Sequence, residues 1–184
     1  MAKKCLINGL SAANPMRTII VMCKWPAMFD EKIKAIRDAC TPLIGTTIER
    51  FETAEILHDD GTWDDWPDLP IRVYCNGQTL LSVSWSRFDD LWLSNDESLP
   101  FAAEDTTTRW KSNGIKKIGA AIGRSIQGVS LGRGEMSIES RDIEIWTRLV
   151  FDLGGLWFEV FNALDENGYD LHLAKPDGEF QKCT

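Results

Sequence analysis

The chain has 184 residues, 43% of them hydrophobic and 26% charged, and its net charge is −8. That length supports a buried core without disulfide or metal staples. No apolar run approaches the roughly 18 residues of a membrane-spanning helix, and the negative charge disfavours nonspecific binding to nucleic acid or an anionic membrane.

Cys5, Cys23, Cys40, Cys75 and Cys183 are widely spaced and form no CxxC pair. Neither a disulfide framework nor a zinc site fits that spacing, and no cofactor is expected. Cys23, Cys40 and Cys75 lie on apolar patterns and read as small core residues, so the expected compartment is the reducing cytoplasm.

Residues 1–15 are expected to be a poorly ordered segment, with Met16 an alternative first residue, and 16–184 a single α+β domain. Thr18 to Cys23 reads as a buried strand. A helix is predicted over residues 28–39, where Phe29, Ile33, Ile36 and Cys40 share one stripe and Glu31, Lys34 and Asp38 lie outside it. Pro42 ends that helix. Thr46 to Phe51 reads as a second strand. The pattern then stops, and residues 52–70 read as a long loop containing HDDGTWDDWPDLP. Trp63 and Trp66 argue against simple disorder there.

Residues 71–85 form a predicted hairpin around a three-residue loop, Cys75-Asn76-Gly77. That register puts Ile71, Val73, Leu81, Val83 and Trp85 on one face, and Ser82, Ser84 and Ser86 on an opposite polar face. Arg87 to Pro100 reads as a loop. Ile115, Ile118 and Ile122 suggest a short helix within residues 110–122, and Ser125 to Ile138 reads as one or two strands broken by glycine.

Residues 143–173 are the most regular stretch and read as a three-stranded meander. Gly154-Gly155 forms a two-residue turn that sets Leu153 opposite Leu156, Phe151 opposite Phe158 and Leu149 opposite Val160. Strict alternation then places Ile143, Ile145, Leu149, Phe151, Phe158 and Val160 on an apolar face. Trp146, Arg148, Trp157, Glu159 and Phe161 fall on the other. A turn at Asn167-Gly168 would set Leu164 opposite Leu171. The expected architecture is a mainly antiparallel twisted sheet or half-open barrel, built from the hairpins 71–85 and 143–173 and covered by the helix at about 28–39.

Charge is unevenly placed. Residues 51–70 hold seven acids and no Lys or Arg, whereas residues 106–133 hold six basic residues and no acid. The leading functional expectation is a non-enzymatic binding protein whose loop residues Asp59, Asp60, Trp63, Asp64, Asp65 and Trp66 meet a basic protein partner, carboxylates steering and aromatics anchoring. Trp146, Arg148, Trp157 and Phe161 are a second candidate surface. One alternative is a hydrolase acting on a small polar or carbohydrate substrate through the loop carboxylates. Another is phosphate or nucleic-acid binding by Arg109, Lys116, Lys117, Arg124 and Arg133, with Trp110 stacking on a base.

Neither acid-rich segment has calcium-loop spacing, and the glycines of Gly128 to Glu135 match no nucleotide fingerprint. His58 and His172, the only histidines, lack an HExxH or G-x-S-x-G context and read as structural. No motif points to a family. In profile alone, as a small acidic tryptophan-rich chain, it resembles bacterial immunity or inhibitor proteins that block a basic partner. That likeness carries no residue assignments.

Overall fold

The two predicted hairpins lie in two different sheets. A computed structural model describes residues 27–77, 79–87, 89–101, 106–138, 141–164 and 166–184. The expected strand Thr18 to Cys23 and the N-terminal segment fall outside them. Helix α1 (Ala27–Cys40) leads through a 3-10 turn (Thr41–Leu43) to β1 (Ile48–Leu57), β2 (Trp63–Asp65), β3 (Ile71–Cys75), β4 (Thr79–Ser86), β5 (Asp90–Ser94) and β6 (Thr108–Ser112). A second 3-10 turn (Lys116–Ala121) precedes β7 (Gly128–Ile138), β8 (Arg141–Asp152), β9 (Trp157–Asn162), β10 (Asn167–His172) and β11 (Phe180–Lys182).

The first sheet runs β2-β1-β3-β4-β5, with β6 also paired to β1; the second runs β10-β9-β8-β7-β11. Every pairing is antiparallel. The protein is thus mostly antiparallel sheet with one α-helix among the described residues. The single sheet or half-open barrel is corrected to two sheets that do not close.

Apolar residues of both sheets meet in one cluster. Phe51 of β1 packs on Phe158 of β9 with ring centroids 5.0 Å apart, and Phe151 stacks on Phe158 at 5.5 Å. Such pairs add about 0.5–1.5 kcal/mol beyond their buried area. Ile33, Ile36 and Cys40 bring the apolar stripe of α1 into the same cluster. Cys75 and Cys183 are also buried there; burial pushes the Cys183 thiol up to about 11, so it behaves as a small core side chain.

Several expectations change for identifiable reasons. In the first hairpin Cys75 pairs with Thr79, so the loop starts at Asn76, one residue later than expected. Asn76 and Gly77 both take positive φ. The apolar face is unchanged, but Ser82 and Ser84 are buried, bonding to the carbonyls of Asp96 and Asp68 in the covering segments. The expected loop 52–70 is half strand, because β1 continues to Leu57 and turns at His58–Thr62 into β2. The loop at 87–100 holds β5, and the helix expected within 110–122 is the end of β6 followed by a 3-10 turn.

In the meander, Leu149 pairs with Val160 and Phe151 with Phe158, and Gly154 and Gly155 take positive φ at the turn. Upstream, the parity breaks. Gly132 pairs with Arg148 and Arg133 with Trp146, which leaves Thr147 as an extra residue. This β-bulge rotates what precedes it by one position. Trp146 therefore turns into the core, its ring 4.6 Å from that of Phe29, while Ile145 turns outward. Lys32 of α1 donates to the Trp146 carbonyl at 3.1 Å and pairs with Asp89, tying helix to bulge. Trp146 is thereby removed from the second candidate surface.

The second turn of the meander also shifts. It closes with Ala163 N–H donating to the Glu166 carbonyl, and Leu171 pairs with Phe158 rather than Leu164. Asn167 is not a turn residue but a buried bridge between the sheets. Its Oδ1 accepts from Trp85 N–H at 2.8 Å, and its Nδ2 donates to the carbonyls of Pro67 and Leu69.

Candidate functional site

The acidic tryptophan segment is the tip of the β1–β2 hairpin. Its turn follows from its own chemistry: Asp60 Oδ1 accepts from Thr62 N–H and Thr62 Oγ1, and Gly61 supplies the positive φ. Those bonds from Thr62 hold the Asp60 carboxyl below its usual range. Asp59, Asp64 and Asp65 are exposed, the Asp64 side chain to 78%. His58 stands 4.0 Å from Asp64. Trp63 and Trp66 are half-buried. Trp63 lies under the Arg109 guanidinium, 4.1 Å from ring to charge, and Trp66 Nε1 donates to Asp68.

The basic stretch answers the acidic one across the sheet. β6 pairs with β1, so Arg109 and Lys111 reach Glu55 at 2.5 and 2.6 Å. The hydrogen bond from Lys111, then that from Arg109, holds the Glu55 carboxyl below the ordinary glutamate range. On the same sheet Arg72 covers Trp110 at 3.5 Å and Arg50 covers Tyr74 at 3.5 Å, while Tyr74 Oη donates to Glu52. Trp110 is therefore a stacking surface for Arg72. Arg133 faces Glu179 at 3.6 Å. Lys116, Lys117 and Arg124 are exposed on and just after the 3-10 turn.

The loop carboxylates do not line the cavity on the outer face of the second sheet. That cavity, about 450 Å³, is floored by Glu159, Arg148, Thr147 and Gly134, with Phe161, Asp170 and His172 to one side and Ile145 and Leu164 among its apolar walls. Glu159 is 3% exposed. Its Oε1 accepts from Arg148 Nε at 2.5 Å and its Oε2 from Arg148 Nη2, while His172 Nε2 lies 2.6 Å from Oε2. Arg148 also donates to the Asp177 carbonyl and lies 5.0 Å from the Phe180 ring.

Of the second candidate surface, Arg148 and Phe161 line this cavity, half-buried Trp157 lies farther along β9, and Trp146 is in the core. Thr147 and Asp170 were not foreseen. Asp170 alternates onto the face of Phe161 and Glu159, which parity reveals; Thr147 arrives there through the bulge, which leaves no mark in composition.

No family model, curated protein or solved structure matches the chain.

Proposed function

We propose that the protein is a non-enzymatic binding protein whose β1–β2 hairpin tip meets a basic surface on a protein partner. The observation that carries this reading is the division of charge along the hairpin. At its base Glu55 is neutralised by Arg109 and Lys111. At its tip Asp59, Asp64 and Asp65 are exposed with no Lys or Arg within 4.0 Å among the described residues. The negative field therefore points outward from the tip, and Trp63, held from one side by Arg109, supplies a fixed aromatic rim. An immunity- or inhibitor-type role, blocking a basic partner, is the form of this function that the charge favours. Hydrolysis through the loop carboxylates is less well supported, since they stand on a hairpin tip and not in the cavity.

The test is charge reversal at Asp64 and Asp65, whose exposure makes the change tolerable to the fold. Chemical crosslinking in the native host should capture a partner with the parent chain, in a salt-sensitive manner, and lose it with Asp64→Lys, Asp65→Lys. A double variant that keeps every partner of the parent overturns the reading.

A further inference from the structure

The cavity on the second sheet has polar groups left over. Arg148 directs three of its N–H groups to Glu159 and the Asp177 carbonyl, and Glu159 takes His172 as well, so those charges answer one another. Asp170 sits directly opposite Glu159 in the β9–β10 register. Like charges so placed repel. Glu159 has its cation, whereas among the described residues Asp170 has no Lys, Arg or His nitrogen within 4.0 Å. Among the described residues its Oδ1 accepts only from the adjacent Leu171 N–H, at 3.2 Å.

Phe161 completes this end of the cavity. It pairs with Gly168, and a Cβ at Gly168 would lie 2.3 Å from the Phe161 ring. The ring therefore leans over Gly168, two residues from Asp170 on the same face of β10. An unpaired carboxylate beside an aromatic ring is a site for an organic cation. Toward β7 stands Thr147, only 4% exposed. Its hydroxyl oxygen occupies the place a side chain at Gly134 would take, 2.1 Å from the ideal Cβ position. In the register Asp170 stands level with Glu159 and Val150, so Thr147 lies two strand spacings across and three residues along from it, roughly 14 Å between backbone positions.

We propose that this cavity binds a small organic amine, its ammonium group between Asp170 and Phe161, its apolar body along the Phe161 ring, and a hydroxyl or carbonyl at its other end on Thr147. The volume lies in the range of small-ligand sites, roughly 300–1,000 Å³.

Tyramine is the probe, titrated into the full chain by calorimetry, with phenethylamine and 4-hydroxyphenylacetate as partners in the comparison. Tyramine is expected to bind saturably and 4-hydroxyphenylacetate to be rejected. Asp170→Asn should weaken tyramine by about tenfold or more, the scale of one charge-assisted hydrogen bond. Thr147→Val should weaken tyramine and leave phenethylamine unchanged. Asp38→Asn, the same charge change on the exposed face of α1, should leave tyramine affinity intact. Each variant is compared at matched unfolding midpoint. The proposal is overturned by absence of saturable tyramine binding, by tighter binding of 4-hydroxyphenylacetate, by an Asp170→Asn variant with parental affinity, or by equal losses in the Asp170 and Asp38 variants.

Discussion

The outer faces of the two sheets handle charge differently. On the first sheet, arginines lie flat over aromatics in three successive pairs, Arg50 on Tyr74, Arg72 on Trp110 and Arg109 on Trp63, with Glu52 and Glu55 bonded alongside. That face spreads its charge over three ring pairs, although Glu55 within it is about as buried as Glu159 on the second sheet. On the second sheet one carboxylate, Glu159, is buried and held by two partners, while Asp170 across the ladder is left without a cation. Both faces bury one carboxylate between two partners; the first also pairs Glu52 beside it, and the second leaves Asp170 available. Groups that are mutually satisfied explain structure, and groups left over are where a ligand has something to gain.

The largest expected effect is at Glu159. Replacing it with Ala leaves Arg148 and His172 without their shared acceptor, and should cost about 3 kcal/mol in urea unfolding. A cost below that of a single stack on the first sheet would erase the distinction between the faces. Arg109→Met, which keeps much of the apolar stem but removes the charge over Trp63 and one of the two cations on Glu55, should cost about 1–2 kcal/mol by the same measurement, since Lys111 still answers Glu55. A loss as large as that at Glu159 would show that Lys111 alone does not answer Glu55.

The smallest and most selective effect lies in the acid limb. Because Lys111 and Arg109 hold Glu55 below the usual glutamate pKa of about 4.3, its contribution to stability is fully present above that value. It is lost as pH falls through the lower folded value. A plot of melting temperature against pH should therefore be flatter in that acid window for Glu55→Gln than for the parent. Parallel curves would mean that the pair with β6 is not felt in solution.

How much of this was legible depends on range. The Gly154-Gly155 turn and its flanking register are local, and alternation alone places Phe151 against Phe158. The helix is equally local, since its stripe repeats at helical spacing. The bulge at Thr147 is not, because an extra residue on one strand is defined only against the partner that lacks it. Trp146 therefore changed sides. β1 was cut short at Phe51 because Glu52 and Glu55 look like surface loop acids until Arg109 and Lys111, more than fifty residues away, are brought beside them. Asn167 followed by Gly168 has the composition of a turn, and only the neighbouring sheet gives its amide something to bridge. Of the candidate sites, the hairpin tip was visible as composition. The cavity was visible only in Arg148, Glu159 and Phe161, without Asp170 or Thr147.

Strand β1 has one further consequence, for the order in which the molecule is assembled. It is a hub, hydrogen-bonded to β2 and β3 along one edge and to β6 along the other. The β1–β2 and β3–β4–β5 connections are short, so that part of the sheet closes over small loops. Strand β6 must return across the intervening chain, a slower closure by its sequence separation. Until it docks, β1 presents an open edge and Glu55 lacks its cations. Since the docking step brings opposite charges together, its rate should fall as salt is added, while the earlier hairpin steps should respond far less.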